Sequence, residues 1–304
     1  MKILITGSTG MVGRNIIENP NLSSCNILAP SSNQLDLTDW SSLKKYIQQN
    51  NPEIIIHCAG LVGGIQANIE NPVNFLKKNT LMGINIISAA KEANIPNFIN
   101  LASSCMYPRF AQNPLKESSL LSGELEPTNE GYALSKLIST RLCEYVCRER
   151  PDLNYRTIIP CNLYGRFDHF DPSRSHLIPA IIRKLDDAIN NNDSSVEIWG
   201  DGLARREFMY ASDLSDFIFK IIPILPTLPS NVNVGFGKDY SIKEYYETAA
   251  KIIGYKGKFI FNKSKPVGMK QKLVDISIQN TLKWKASTSL EAGIKKTYEF
   301  YKGA

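Results

Sequence analysis

Short apolar runs recur along the first 165 residues, and longer stretches with helical spacing separate them. Five runs are continuous rather than alternating, which is typical of parallel strands that are covered on both faces. They predict strands at residues 2–6, 26–29, 54–58, 98–102 and 156–160. The stretches between them predict helices at residues 11–18, 40–49, 72–93 and 130–150. This alternation predicts an α/β fold built on a doubly wound parallel sheet.

After Gly165 the pattern becomes less regular. Shorter helices are predicted at residues 177–190 and 242–254, and strands at 196–199 and 258–261. Three prolines mark a loop between these elements, at positions 223, 226 and 229. We therefore expect a Rossmann-type domain over residues 1–165 and a smaller α/β lobe over residues 166–304, from which some segments return to the first domain.

The composition is that of an ordinary folded protein. Of the 304 residues, 43% are hydrophobic and 21% are charged, which excludes a disordered chain. The longest apolar run, residues 217–225, is far shorter than the ~20 residues that a membrane span requires. Six scattered cysteines predict reduced thiols, and the chain enters a strand at once, so we expect a cytoplasmic protein. No His or Cys pair near Cys143 and Cys147 completes a zinc set, so no metal is expected.

Positive charge is concentrated near the C-terminus. The net charge is +6, but residues 231–304 carry fourteen Lys and six acids, which leaves the rest of the chain slightly negative. A basic lobe suits a small anionic ligand such as a nucleotide diphosphate. Because the lysines are interspersed with acids and lack an aromatic RNA-binding signature, we expect neither nucleic acid nor a membrane as partner.

A glycine-rich turn follows the first predicted strand directly. It reads Gly7-Ser8-Thr9-Gly10-Met11-Val12-Gly13. Glycines at this spacing allow a tight turn, a close approach of the backbone to a pyrophosphate, and close packing of helix on strand. The strand–turn–helix context predicts a dinucleotide site of a family other than that with the commoner G-x-G-x-x-G spacing.

The end of the second strand indicates which dinucleotide binds. Chains that bind NAD hold the ribose 2′-hydroxyl with a carboxylate here, whereas residues 29–33 contain none. Small donors such as Ser31 and Ser32 can accept a 2′-phosphate, which predicts NADPH or NADP as the cofactor. Residues expected near the adenine and where the third strand passes the cofactor are Asp36, Leu37, Ala59 and Gly60.

A second constellation suits proton transfer. Tyr132 and Lys136 lie one helical turn apart on one face, where the lysine is expected to lower the pKa of the phenol. Ser103 leaves the C-terminal end of the fourth strand, where open parallel sheets bind their ligands, and its hydroxyl can hydrogen-bond a carbonyl oxygen. Behind the glycine-rich turn, this arrangement predicts a carbonyl reductase.

Further segments extend the pattern over essentially the whole chain. They are residues 57–68, 103–108, 125–132, 162–165, 175–180 and 206–208. With these segments the chain resembles the extended short-chain dehydrogenase/reductase family, the nucleotide-sugar epimerases and dehydratases, and within it the GDP-L-fucose synthase group. An acidic pair follows the catalytic Ser or Thr in the related dehydratases, whereas Ser104 and Cys105 stand here, which disfavours a dehydratase.

The resemblance implies roles for individual residues. It implies that Ser103, Tyr132 and Lys136 form the reductase triad. It also implies that Cys105 and His176 move protons at the sugar carbons beside the ketone, and their near-neutral titration suits alternating acid and base roles. His57, at the end of a hydrophobic strand, is expected to be structural, and His169 stays unassigned.

Further positions follow from the same resemblance. It implies that Lys184, Trp199 and Arg206 hold the nucleotide, the cations on its pyrophosphate and the indole against its base. Positions implied to lie beside the cofactor, some of them also beside the substrate, are Pro160, Asn162, Leu163 and His176. The resemblance also implies a homodimer in which the helices at residues 79–93 and 132–150 pair across a two-fold axis.

These observations predict an NADPH-dependent reductase of a GDP-linked 4-keto sugar, with epimerisation at C3 and C5. One alternative is a C4-reductase without epimerase activity, and another is a non-catalytic NADP-binding regulator, although a regulator would be free to lose part of the triad. The loop at residues 266–275 keeps its family framework but differs from it at Val267, Met269, Lys270 and Gln271. From these changes we expect a sugar with a larger C6 end, such as a heptose.

Overall fold

The computed structural model describes residues 1–171, 175–265 and 267–303. Its strands are β1 (Lys2–Thr6), β2 (Asn26–Leu28), β3 (Ile54–His57), β4 (Asn97–Leu101), β5 (Asn154–Pro160), β6 (Asn162–Tyr164), β7 (Ser195–Trp199), β8 (Arg205–Arg206), β9 (Phe208–Tyr210), β10 (Asn231–Val234), β11 (Tyr240–Ser241), β12 (Lys258–Asn262) and β13 (Gln271–Lys272). Its α-helices are α1 (Met11–Ile17), α2 (Trp40–Asn50), α3 (Ile65–Glu70), α4 (Pro72–Glu92), α5 (Glu130–Glu149), α6 (Leu177–Asn190), α7 (Ala211–Ile221), α8 (Ile242–Ile253), α9 (Ser277–Thr281) and α10 (Leu290–Gly303).

A six-stranded parallel sheet forms the centre of the molecule. Its strand order is β10-β5-β4-β3-β1-β2. The five strands predicted for the first half of the chain are all present, with boundaries that shift by no more than two residues. The prediction of a doubly wound α/β fold is therefore confirmed.

Both faces of this sheet are buried, as continuous apolar strands require. In β1, Ile3 and Ile5 join an apolar cluster that includes residues of α1 and α7. Leu4, between them, points to the opposite face and joins residues of α2, α4 and α5. The carboxyl ends of β1, β3 and β4 consequently open at one edge of the sheet, which is where the glycine-rich turn and Ser103 lie.

Residues 211–234 differ from the sequence-based expectation. The segment around Pro223 and Pro226, predicted as a loop, forms a 3-10 helix at Ile222–Thr227. Two elements of this segment were not predicted. They are α7, which packs on α1, and β10, which extends the central sheet beside β5. β10 reads Asn-Val-Asn-Val, and its burial beside β5 depends on a neighbour more than 70 residues away, which a local pattern cannot reveal.

The second lobe has its own apolar core, formed mainly by α6, α8, α10 and β7. Small sheets lie outside the central one: β6 of the first domain pairs with β9, and within the second lobe β8 pairs with both β11 and β13. Among the described residues, no helix is long and apolar enough to cross a membrane.

Candidate active site

The glycine-rich turn is as tight as its sequence predicts. Gly7 has a φ of +68°, and a Cβ on it would lie 2.7 Å from the backbone nitrogen of Ala59. A Cβ on Gly13 would lie 2.2 Å from the carbonyl oxygen of Gly7. Gly10 precedes α1, where no side chain caps the helix and no acid lies in the first turn. The backbone N–H groups of that first turn are therefore available to an anion. The cradle therefore fits the pyrophosphate of a dinucleotide.

The turn that follows β2 lies beside the glycine-rich turn, and its polar side chains form hydrogen bonds within the protein. Ser8 donates a hydrogen bond of 2.9 Å to the carbonyl of Pro30, which ties the two turns together. Ser31 is half-buried, and its hydroxyl bonds Gln34 at 3.0 Å, whereas Ser32 is exposed. No carboxylate occupies residues 29–33, as expected for a 2′-phosphate site.

The side chains of Asp36 and Leu37, expected near the adenine, have partners within the protein. One oxygen of Asp36 accepts hydrogen bonds from the backbone and hydroxyl of Thr38, at 2.8 and 2.7 Å. Leu37 is buried in the apolar cluster beneath α2. The Leu37 side chain therefore belongs to the core, and the place of both residues beside the adenine stays a prediction.

Lys136 lies beneath the opening of the sheet. Its ammonium donates a hydrogen bond of 2.9 Å to the carbonyl of Leu101, at the end of β4. It lies 5.8 Å from the centroid of the Tyr132 ring, and a Cβ on Gly60 would lie 3.6 Å from it. The structure thus brings Gly60 together with Tyr132 and Lys136, which lie on a different segment of the chain.

The pKa of Tyr132 differs from the sequence-based expectation. Burial raises the pKa of its phenol above the ordinary value, and the nearby Cys105 thiol raises it further. The expected lowering by Lys136 does not occur, because that ammonium bonds the Leu101 carbonyl and burial dominates. A phenol with a raised pKa is fully protonated at neutral pH, which is the state that a proton donor requires.

Cys105 lies beside the triad. It belongs to the 3-10 helix Ser104–Met106, which Ser103 caps by accepting the Cys105 N–H at 3.3 Å. Burial raises the pKa of the Cys105 thiol, while Lys272 and a side-chain hydrogen bond with Ser103 oppose that rise. The thiol is therefore close to the reductase residues and to a cation from the second lobe.

Lys272 is the site residue that the sequence analysis missed. Burial lowers the pKa of its ammonium, which interacts with Cys105, Arg206 and Cys161. It also lowers the pKa of His176, although burial of that imidazole is the larger cause. Within the described chain, the Lys272 ammonium has no hydrogen bond or salt bridge. The signal available in the sequence was its position in the retained framework of the 266–275 loop.

The residues implied to hold a nucleotide lie on separate elements of the second lobe. Arg206 on β8 donates to the carbonyl of Val267 at 2.9 Å, and burial lowers the pKa of its guanidinium. Lys184 on α6 donates to the carbonyl of Glu197 at 2.9 Å. Trp199, at the end of β7, is 40% exposed. The binding of a nucleotide diphosphate by these two cations and the indole stays a prediction.

The remaining sequence-predicted positions have structural partners. The Asn162 amide donates to the carbonyl of Glu207 at 2.8 Å, and Leu163 packs half-buried against the main core. Pro160 is buried at the end of β5. His57 bonds the Thr6 hydroxyl at 2.8 Å, and burial lowers its pKa to about 3, which confirms its structural role. His169 is exposed and stays unassigned.

The changed loop is described over residues 267–275, and Pro266 lies outside the described residues. Gln271 donates to the Asp239 carboxylate at 2.6 Å. Val267 packs on Gly200, next to Trp199. Because side chains alternate along a strand, Lys272 and Gln271 point to opposite sides of β13. The sugar with a larger C6 end, which these changes led us to expect, stays a prediction.

Comparison with known proteins extends this description. The model of the NAD dependent epimerase/dehydratase family matches residues 3–235. The chain is 52% identical over 301 residues to a GDP-L-colitose synthase from Yersinia pseudotuberculosis, covering 99% of this chain and 98% of that protein. It is 47% identical over 300 residues to a GDP-L-fucose synthase from Azorhizobium caulinodans, covering 99% and 96%.

A solved structure is similar over the same length. It is a GDP-mannoheptose C4 reductase from Campylobacter jejuni with NADP bound. It matches with a TM-score of 0.88 and 30% sequence identity, over 99% of this chain and 98% of that one. The likeness therefore covers both the central sheet and the second lobe.

Proposed function

The chain belongs to the NAD dependent epimerase/dehydratase family, and from this premise we propose that it reduces the C4 ketone of a GDP-linked 4-keto sugar with NADPH and epimerises the adjacent carbons. One observation carries the proposal. A proton-donor set of Ser103, Tyr132 and Lys136 shares one pocket with a second proton-transfer pair, Cys105 and His176, and Lys272 interacts with both members of that pair. A simple reductase has no use for the second pair.

The reduction uses the first set. When bound, NADPH supplies a hydride to the sugar C4. The Tyr132 phenol, which burial keeps protonated, gives its proton to the ketone oxygen. The Ser103 hydroxyl donates a hydrogen bond to the same oxygen. The Lys136 ammonium lies 5.8 Å from the centroid of the Tyr132 ring.

The epimerisation uses the second pair. A ketone at C4 acidifies the C–H bonds at C3 and C5, and inversion requires a base on one face of the sugar and an acid on the other. The lowered pKa of His176 leaves a neutral imidazole that accepts a proton, and the raised pKa of Cys105 leaves a thiol that gives one. The pair therefore holds one acceptor and one donor at neutral pH. Negative charge on the ketone oxygen is stabilised by Tyr132 and Ser103.

The cofactor is NADPH. The residues between β2 and Asp36 contain no carboxylate that would repel a 2′-phosphate, and Ser31 and Ser32 offer hydroxyls beside the glycine-rich turn. NADP is bound in the similar solved structure of the heptose reductase. We expect kcat/KM with NADPH to exceed that with NADH at least tenfold, and steady-state kinetics with both cofactors checks this.

The sugar that we propose is a GDP-linked 4-keto-6-deoxyhexose, with or without the C3 hydroxyl. Relatives 52% and 47% identical are named GDP-L-colitose synthase and GDP-L-fucose synthase, whereas the heptose reductase is 30% identical. A heptose, which the changed positions of the 266–275 loop predict, is the alternative sugar. A tenfold advantage in kcat/KM for a heptose substrate would favour it.

The protein is proposed to be a cytoplasmic homodimer. The exposed faces of α4 and α5, which pack against each other, carry large apolar side chains: Leu81, Ile84, Leu134, Ile138 and Tyr145. A second copy that pairs through the same two helices would cover this surface. Six free thiols suit a reducing compartment. Light scattering should give the dimer mass, and Ile138→Lys should give the monomer.

One experiment tests the reaction and its alternatives. The enzyme is incubated in D₂O with GDP-4-keto sugars, with and without NADPH, and the products are followed by NMR and mass spectrometry. Deuterium at C3 or C5 without NADPH, and a reduced product with it, is the expected result. Reduction without deuterium at either carbon would identify a C4-reductase only, and neither reaction with any substrate would identify a non-catalytic NADP-binding regulator.

A further inference from the structure

Glu207 is a buried carboxylate without a cationic partner. It is 0% exposed, and among the described residues no Lys, Arg or His forms a salt bridge with it. Its two oxygens instead accept backbone N–H groups from two other segments, that of Gly237 at 2.7 Å and that of Val274 at 3.0 Å. Burying a carboxylate is costly even when it is hydrogen-bonded, so this arrangement calls for a reason beyond packing.

The segments that meet at Glu207 include those of Arg206 and Lys272, the two cations that form the nucleotide end of the proposed pocket. Its own neighbour is Arg206. Val274 lies two residues beyond Lys272, and the carbonyl of Lys272 accepts the Glu207 N–H at 3.1 Å. The carbonyl of Glu207 accepts the Asn162 amide at 2.8 Å. Glu207 therefore holds the strand of Lys272 through both its backbone and its side chain.

The pairing of these strands needs such support. β8 and β13 have two residues each, with Arg206 opposite Lys272 in the register. Two cations on opposite positions repel each other until an anion lies between them. A ladder of two residues is too short to oppose that repulsion alone. The two N–H bonds to Glu207 add ties on the side of the strands away from the cations.

Space around the carboxylate is fully used. A Cβ on Gly235 would lie 2.3 Å from a carboxylate oxygen of Glu207 and 2.8 Å from the side chain of Val274. The carboxylate consequently has one position, fixed by the turn at residues 235–237 and by β13.

We propose that Glu207 is a positioning residue that sets the spacing between the Arg206 guanidinium and the Lys272 ammonium, so that the two cations bind the phosphates of a nucleoside diphosphate. The inference rests on the proposed function, in which this pocket holds the nucleotide of the sugar substrate. Glu207 does not contact the ligand. Its effect reaches the ligand only through the strand that carries Lys272.

Glu207→Gln tests this, because an amide presents one acceptor oxygen where two N–H groups point at two oxygens. Calorimetry with GDP should show a Kd at least tenfold higher than that of the wild type, with the Kd for NADPH changed less than twofold. Asp213→Asn is the matched control. Asp213 is 2% exposed and accepts the Thr288 N–H at 3.0 Å, but it ties α7 to residues 287–288, and no contact links it to Arg206 or Lys272. This control should lower Tm and leave the GDP Kd within twofold.

A double-mutant cycle separates positioning from general destabilisation. If Glu207 acts through Lys272, Lys272→Met combined with Glu207→Gln should bind GDP no more weakly than Lys272→Met alone. Glu207→Asp, which keeps the charge but shortens its reach, should give an intermediate Kd if Glu207→Gln does not fold. Additive effects, or a lowered Tm with an unchanged GDP Kd, would overturn the inference.

The wild type also separates this inference from the proposed reaction. GDP, UDP and ADP are each titrated, since a phosphate clamp does not depend on the base. A wild type that binds none of them has no clamp, which would overturn the inference. Tight GDP binding that weakens in Glu207→Gln, in an enzyme that reduces no 4-keto sugar, would overturn the proposed reaction and support the clamp.

Discussion

The two ends of the pocket are built differently. The reductase end stands on long regular elements: Tyr132 and Lys136 lie on α5, a helix of 20 residues, and Ser103 follows a strand of the six-stranded sheet. The nucleotide end, Arg206 and Lys272, stands on two-residue strands whose spacing depends on side-chain ties. Proton and hydride transfer require fixed geometry, which a rigid scaffold provides. Groups that bind the substrate can instead be adjusted by changes in short segments, which is how one scaffold serves different nucleotide sugars.

The largest expected effect tests the rigid end. Tyr132→Phe keeps the ring packed against Phe75 but removes the proton donor, so kcat for reduction should fall by about 100-fold or more. The Kd for NADPH should stay within twofold. Tyr145→Phe, an exposed tyrosine on the same helix, is the control and should retain full activity. Near wild-type reduction by Tyr132→Phe would remove this residue from the chemistry.

The second effect separates epimerisation from reduction. Cys105→Ser keeps the size of the side chain, but a hydroxyl is far weaker as an acid, so deuterium incorporation beside the ketone should fall by about 100-fold. Reduction of a 4-keto substrate that needs no epimerisation should continue at a similar rate. Cys161→Ser removes the other thiol near Lys272 and should leave exchange intact. Equal loss of exchange and reduction in Cys105→Ser would mean that the thiol does not serve epimerisation alone.

The third effect concerns Lys272 of the nucleotide end, whose ammonium also interacts with Cys105 and His176. Lys272→Met removes an ammonium that has no partner within the described chain, and the Kd for GDP should rise about tenfold, equivalent to ~1.4 kcal/mol. NADPH binding should be unchanged. Lys270→Met, on the same segment but exposed, is the control and should bind GDP as the wild type does. An unchanged Kd in Lys272→Met would mean that Arg206 and Lys184, and not Lys272, bind the phosphates.

The smallest effect concerns the loop that leads towards His176. Burial raises the pKa of Asp168 to about 7, and one of its oxygens has no hydrogen-bond partner in the described structure. A folded-state pKa above the unfolded one means that the native state loses stability as pH rises from about 4 to 7. Asp168→Asn removes that loss, so its Tm should exceed that of the wild type by a few degrees at pH 8, and the gap should narrow at pH 5.

The measurement is thermal unfolding at both pH values, with NADPH affinity as the control for the rigid end. Asn keeps an oxygen that can accept the His169 N–H, which Asp168 accepts at 2.8 Å. A variant less stable than the wild type at pH 8 would show that the Asp168 carboxylate stabilises the native state.

The predicted features that are confirmed are those in which close neighbours along the chain act together. The continuous strands, the glycine-rich turn and the helix of Tyr132 and Lys136 each depend on contacts within a few residues, so periodicity and spacing reveal them. The family and the NADP cofactor follow from the same segments. The assignment of domains, the individual site residues and the homodimer stay predictions.

The features that were missed depend on distant partners. β10 becomes a strand only beside β5, and the pKa of Tyr132 follows from burial that no spacing shows. The direction of the Gln271 side chain was not predictable either, because a change of residue does not reveal which way a side chain points. Its partner, Asp239, is 32 positions away along the chain.

The sequence by itself therefore determined the parallel sheet, the dinucleotide turn and the tyrosine–lysine pair, since each is specified by local spacing and apolar pattern. Only the tertiary structure decided that Lys272 faces Cys105, His176 and Arg206, and that Glu207 links the strands that carry the two cations. The physical reason is the range of the interactions. Local spacing is specified by consecutive residues, whereas the two-residue strands that carry Arg206 and Lys272 pair across more than 60 positions of the chain.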